Sequence, residues 1–169
     1  MSLSMYESSI PVLVRSLNNL SADLAKGADY ASTKEIDDAV LVNARLFPNM
    51  FDLAHQIQIA CDVSKGAAAR LSGIEAPSFE DNEASFEELQ TRISNTIKFL
   101  ESVPAEQVDG TEEKEIILPA GDKEFKFSGR DYLQTFVLPN VYFHAVTAYN
   151  ILRHNGVEIG KMDFLGAPK

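Results

Sequence analysis

Two polar side chains in the last third of the chain have types and spacing that suit metal chemistry. Asn140 and His144 lie four residues apart in a run that is otherwise apolar and aromatic. Residues four apart project from the same face of a helix, so the amide and the imidazole would lie side by side. Paired ligands four apart are the spacing that metal-binding helices use. The pair therefore predicts a ligand or metal site on one helix face.

Thr147 continues this polar face by one further turn. Polar groups on a buried face must be satisfied, and a shared ligand, water or ion would satisfy these three together. The neighbouring aromatic residues Tyr142 and Phe143 are the expected walls of such a pocket. The alternative is that the same polar residues form a hydrogen-bonded network inside the core.

The other two histidines and the single cysteine carry different expectations. His55 lies mid-helix beside an apolar stripe, where a lone histidine is more often a hydrogen-bonded structural residue than a ligand. His154 falls in a last helical turn, where the helix dipole favours a cation, so we expect a surface or capping role. Nothing near Cys61 in sequence would stabilise a thiolate, and a small buried apolar role is expected.

The elements that position these residues are predicted from helical periodicity and capping signals. Four long segments and one short piece are expected to be helical: Ser4 to Gly27, Glu35 to Leu46, Pro48 to Ser72 with Gly73 as the stop, Ser85 to just before Pro104, and Ser128 to His154. Before the last helix, two short β-like runs flank Gly121-Asp122, which is a hairpin turn signal. The pattern predicts a mainly α protein, a four-helix bundle with a small β-hairpin, as one domain over residues 1–169.

Pro139 should disturb the last helix one residue before Asn140, because it removes the bond to the Thr135 carbonyl. The distortion could simply help a long helix wrap the core. It could also open a pocket beside His144, and both interpretations stay open.

Composition limits the range of partners. With 15 Lys and Arg against 25 Asp and Glu, the formal charge is −10, which repels nucleic acid and anionic lipid. No apolar run approaches the roughly 20 residues of a membrane span. The start, Met-Ser-Leu-Ser-Met, lacks the regions of a signal peptide, so a cytoplasmic location is expected. The acidic run from Glu80 to Glu83 is expected to be a solvated helix entrance.

Three stretches resemble a known family: Phe51 to Asp62, Ala67 to Gly73, and Pro139 to His144 continuing through Gly156 to Asp163. They are similar to a bacterial domain-of-unknown-function family grouped with the DinB/YfiT-like metalloenzymes. In that superfamily, two histidines four apart on the last long helix bind a divalent metal with a third histidine from an earlier helix. The resemblance covers essentially the full chain for the narrow family and implies a DinB-like four-helix bundle.

Residue by residue, the resemblance carries over in part. His144 matches the second histidine of the pair and His55 matches the one from the earlier helix, whereas Asn140 replaces the first. The resemblance thus implies a divalent metal, zinc or nickel, held more weakly because an amide oxygen is a poorer ligand than imidazole. Superfamily members include thiol-dependent transferases and isomerases, which implies a metal-dependent thiol transferase or a hydrolase-type enzyme. The alternative is a noncatalytic small-ligand-binding or structural bundle with a degenerate metal site.

The last helix also carries a prediction about assembly. The runs Phe136-Val137-Leu138 and Val141-Tyr142-Phe143 are apolar beyond one narrow stripe, which predicts a homodimer packed through helix faces. The same residues could instead be covered by the hairpin or by the tail after Gly156.

Overall fold

The computed structural model of the protein describes residues 4–167, with the side chain of Ala120 excepted. Eight α-helical elements, one π-helical segment and two strands follow one another among these residues: α1 Met5–Thr33, α2 Asp38–Val42, α3 Leu53–Ser72, α4 Phe86–Glu101, α5 Ala105–Val108, β1 Glu115–Ala120, β2 Lys123–Ser128, α6 Gly129–Asp131, the π-helical segment Tyr132–Val137, α7 Leu138–His154, and α8 Lys161–Leu165. The predicted mainly α fold with a hairpin before the last long helix is confirmed.

The four long helices form a closed ring around one core. α3 packs on both α4 and α7, and α1 packs on the same two helices from the other side. Each helix contributes fully buried aliphatic side chains to the shared core: Leu13, Leu17 and Leu24 from α1, Ile57 and Leu71 from α3, Leu89, Ile93 and Leu100 from α4, and Val141 and Leu152 from α7. Burial of this apolar surface supplies the main driving force for the bundle.

Local capping signals place most helix ends correctly. The Ser4 hydroxyl accepts a hydrogen bond from the Glu7 amide, and Ser85 with Glu88 forms a complete capping box. Gly73 ends α3 in the left-handed conformation at φ 85°. Antiparallel pairing joins β1 to β2 through the turn at 121–122, as predicted. These ends depend on residues only three or four apart.

Two predicted boundaries around the second helix are wrong. The short piece spans only Asp38–Val42, and α3 begins at Leu53 rather than at Pro48. The carboxylate of Asp52 caps α3 by accepting the amide of His55, so the residues before it form a separate turn. A capping carboxylate therefore outweighs a proline that suits a first helical turn.

The prediction that Gly27 ends the first helix is also wrong, since α1 continues to Thr33. Gly27 is buried, and a Cβ there would lie 2.9 Å from Leu152 Cδ2 and 3.0 Å from Phe86 Cε1. The glycine serves close packing of α1 against α7 and α4 rather than a helix end.

The distortion expected at Pro139 takes the form of the π-helical segment. The amide of Leu138 bonds to the carbonyl of Leu133, five residues back, and Pro139 then lies in the first turn of α7. The wider turn shifts the hydrogen-bond register just where proline offers no amide, so the helix continues without a break. π-helical turns are frequent at functional sites, and this one ends at Val137, three residues before Asn140.

The apolar run on the last helix is covered unevenly. Phe136 packs on Phe127 of the hairpin at 5.9 Å between ring centroids, and Tyr149 packs on Phe164 of the tail at 6.1 Å. The hairpin thus covers part of the run, as the alternative expectation held, and the tail packs on Tyr149 just beyond it. Tyr142 and Phe143 remain exposed, and the homodimer stays a prediction. None of the helices within residues 4–167 is long and apolar enough to cross a membrane.

Candidate functional site

His144 lies in the contact between α7 and α3, where it is only 8% exposed. Its Nδ1 lies 2.7 Å from Oε1 of Gln56, and the Gln56 amide nitrogen donates to the Phe51 carbonyl at 3.0 Å. Because that second bond fixes the amide orientation, the oxygen must accept from His144, and Nδ1 carries the proton. Burial lowers the pKa of His144, so the ring is neutral near pH 7. Its Nε2 therefore holds the free lone pair.

His55 lies in the first turn of α3 with its side chain half exposed. Its Nδ1 is 2.7 Å from Oδ1 of Asp52, and its ring stacks on Phe51 at 5.3 Å with only 8° between the planes. Burial alone would raise the pKa of Asp52, but the amide and ring of His55 and the charge of Arg45 lower it below its usual value. The ionised carboxylate thus orients the His55 ring and leaves Nε2 without a hydrogen bond within residues 4–167.

The remaining predicted site residues divide between two surfaces. Asn140 is half buried, and its side chain makes no hydrogen bond within the described part of the chain. Thr147 is buried, and its hydroxyl donates to the Phe143 carbonyl at 2.7 Å, so it is satisfied inside its own helix. Tyr142 and Phe143 line a groove toward α1 to which neither His55 nor His144 contributes.

The donor set can be compared with what a divalent metal requires. Two imidazoles whose Nδ1 atoms bond to a carboxylate and an amide oxygen present Nε2 outward, which is the usual arrangement of metal-ligating histidines. Asn140 offers an amide oxygen on the helix that carries His144. Over residues 4–167, no three His, Cys, Asp or Glu side chains gather as a metal-binding group. The donor types, two imidazole nitrogens and an amide oxygen, are ones that a divalent metal accepts, and the site itself stays a prediction.

Gln56 is the site residue that sequence reasoning missed. It is 1% exposed and joins α3 to α7 through His144. The signal was available, because Gln56 lies three residues after Leu53 and four before Ala60, on the apolar stripe of the helix. A polar side chain on such a stripe needs a buried partner.

Cys61 and His154 behave as expected. Cys61 is fully buried, and that burial raises the pKa of its thiol to about 12, which removes it as a nucleophile at neutral pH. His154 is exposed in the last turn of α7.

A second polar cluster surrounds Arg92 of α4, whose side chain is 1% exposed. Its guanidinium lies 2.8 to 2.9 Å from carboxylate oxygens of Asp62, Asp81 and Glu83. Burial alone would lower the pKa of Arg92, but Glu83 and Asp62 raise it, so the charge is permanent. The expectation of a fully solvated acidic run is wrong for Glu83, which is half-buried and held by Arg92 and Gln58.

Comparisons with known proteins cover nearly the whole chain. A family model described as a domain of unknown function (DUF1993) matches residues 5–165. The crystal structure of a DinB family member protein from Shewanella denitrificans superposes with a TM-score of 0.90 at 38% identity, covering 96% of this chain and 92% of that one. No curated protein matches the chain. The similarity therefore extends from α1 to α8 and is not confined to the last helix.

Proposed function

We propose, from the premise that this chain belongs to the DUF1993 family within the DinB-like superfamily, that it binds a divalent metal weakly between α3 and α7. His55 and His144 would be the nitrogen ligands, and Asn140 would contribute its amide oxygen. The family assignment agrees with the resemblance that the sequence carried. The metal and any reaction are the proposal.

The observation that supports this proposal is the state of the two imidazoles. Asp52 and Gln56 each bond to Nδ1 of one ring, and Nε2 of each ring has no hydrogen-bond partner within residues 4–167. A histidine must be neutral to ligate, and burial keeps His144 in that state by lowering its pKa. Partners of this kind fix ring orientation and raise ligand basicity.

Asn140 sets the strength and the chemistry of the site. An amide oxygen is a harder and weaker ligand than imidazole for zinc or nickel, so we expect lower affinity than a three-histidine site would give. When bound, the ion would supply Lewis-acid activation of a low-molecular-weight thiol. Within the chain, Asp52 and Gln56 would hold the two rings in place. Cys61 cannot replace this external thiol as the nucleophile, because its own thiol group is buried and protonated.

The test is calorimetric titration with zinc of the wild type, of Asn140→His and of the control Asn95→His. Asn95 is exposed on α4 with no histidine within four residues of it, so its substitution adds a lone imidazole away from the site. We expect Asn140→His to bind zinc at least about tenfold more tightly, which corresponds to about 1.4 kcal/mol, and Asn95→His to match the wild type. Equal affinity of all three proteins would contradict the proposal.

A second candidate function is a noncatalytic bundle that holds a small ligand or is purely structural. The bond between Gln56 and His144 favours it, because it satisfies the buried ring without an ion. Under this alternative, neither the wild type nor Asn140→His binds zinc saturably, and metal analysis of the purified protein finds no bound ion in stoichiometric amount.

A further inference from the structure

A groove between α1, α7 and α8 lies apart from the two histidines. Its volume is about 590 Å³, within the range of roughly 300 to 1,000 Å³ that small-molecule sites occupy. Apolar side chains form most of its walls: Val12 from α1, Tyr142, Phe143 and Val146 from α7, and Phe164 and Leu165 from α8. Such a lining suits the apolar body of a small ligand.

Three of these walls are exposed on α7. Tyr142, Phe143 and Val146 are 42%, 56% and 38% exposed, whereas Phe127 of the hairpin packs on Phe136 and Phe164 of the tail packs on Tyr149. Leaving apolar area in water costs about 25 cal/mol per Å² relative to burial. A ligand that covered these three side chains of α7 would therefore gain free energy from burying their apolar surface.

Arg15 stands at the rim of the groove with its guanidinium held in place. Nη2 donates to the carbonyls of Leu165, Gly166 and Ala167 at 3.0, 3.4 and 3.1 Å. Within residues 4–167, Nη1 and Nε make no hydrogen bond, and Arg15 forms no ion pair. By contrast, Arg45, Arg92 and Arg130 each pair with a carboxylate.

The positive charge of Arg15 indicates which class of ligand the groove would bind. The chain carries a formal charge of −10, so Arg15, which pairs with no carboxylate among residues 4–167, is a local site of complementary charge for an anion. One guanidinium suits a single carboxylate, because a dianion such as phosphate would need further cations against the negative surroundings.

We propose that this groove binds a small amphipathic carboxylate, with its apolar body on Phe143 and Val146 and its carboxylate on Arg15. A second copy of this chain is the competing occupant. A stable protein interface buries about 800 Å² on each partner, however, whereas here a few side chains line a concave groove. The groove does not include His55 or His144, so this proposal does not depend on the metal site.

The test uses decanoate as the probe, with decanol and acetate as matched probes that lack the charge or the apolar body. Calorimetric titration of the full chain is expected to show saturable binding of decanoate, binding of decanol at least about tenfold weaker, and none of acetate. The variant Arg15→Gln should weaken decanoate at least about tenfold without changing decanol, and the control Arg130→Gln should match the wild type.

Because Arg15 also holds the tail, Val146→Glu provides a second variant that leaves those bonds intact. Its added negative charge should weaken decanoate at least about tenfold and decanol much less. The proposal is overturned if decanoate shows no saturable binding, or if its affinity is the same in Arg15→Gln, Val146→Glu and the wild type. It is also overturned if light scattering shows a concentration-independent dimer that Phe143→Ser converts to monomer, since a second copy then fills the groove.

Discussion

The two polar clusters that α3 helps to build differ in how completely their atoms are used. Around Arg92, three carboxylates and the Glu80 carbonyl occupy both terminal nitrogens of the guanidinium, and only Nε lacks a partner among the described residues. In His55 and His144, Nδ1 is hydrogen-bonded, whereas Nε2 has no hydrogen-bond partner in the part of the chain that the structure describes. The comparison teaches that a buried cation whose terminal nitrogens are all occupied has a structural role, whereas a ligand site needs ring nitrogens that are held in place but not yet bonded.

The largest expected effect is on the closed cluster. Replacing Arg92 by Met leaves the carboxylates of Asp62, Asp81 and Glu83 close together without their shared cation. Removing one partner of a buried ion pair typically costs about 3 to 5 kcal/mol. We expect a loss of this size in the free energy of unfolding, measured by urea denaturation at pH 7.

The matched control is Arg130→Met, because Arg130 pairs with Glu113 on the surface with both side chains well exposed. An exposed pair contributes at most about 1 kcal/mol, so this variant should remain close to the wild type. If the two arginine variants lose the same small amount, the buried cluster does not stabilise the fold in the way described.

Asp23 of α1 is a buried carboxyl group outside both clusters. Its Oδ1 has no hydrogen-bond partner among the described residues. Burial first, and then the charge of Asp163, raise the pKa of Asp23 to about 6, while Lys26 opposes the shift. The folded state therefore binds this proton more tightly than the unfolded state, and the ionised form costs stability.

Asp23→Asn tests this sign. As pH rises from about 4 to above 6, the wild type should lose stability at this position that the neutral amide does not lose. We expect the variant to be more stable at pH 7.5 by about 1 to 2 kcal/mol and to approach the wild type near pH 4. Urea denaturation across this pH range measures the difference, and a gap that widens toward low pH would contradict the assignment.

An effect of similar size is expected at the contact between α3 and α7. Gln56→Leu leaves the buried His144 ring nitrogen without its partner, at a cost of about 1 to 3 kcal/mol. The double variant Gln56→Leu, His144→Phe removes both polar groups and should recover much of that loss. Chemical denaturation of the two single variants and the double variant gives the coupling energy. Simple additivity would mean that the two side chains do not depend on each other.

The features that could be predicted from sequence are those set by near neighbours. The caps at Ser4, Ser85 and Ser128, the stop at Gly73 and the hairpin turn at 121–122 all depend on residues within four positions. The buried faces of the long helices could also be predicted, because their apolar residues recur with the helical period of 3.6 residues. Gly27 was misread because its reason lies in Leu152 and Phe86, which are distant in sequence.

The sequence by itself determined the bundle, the hairpin and the residue types at the site, because backbone hydrogen bonds, turns and apolar stripes follow from local spacing. Only the tertiary structure decided which polar atoms are free. His144 gains Gln56, 88 positions away, and Arg92 gains Asp62, 30 positions away. The physical reason is that burial and partner choice depend on how the helices pack. Only the folded structure therefore shows that, among the described residues, two Nε2 atoms have no hydrogen bond and Arg15 has no carboxylate partner.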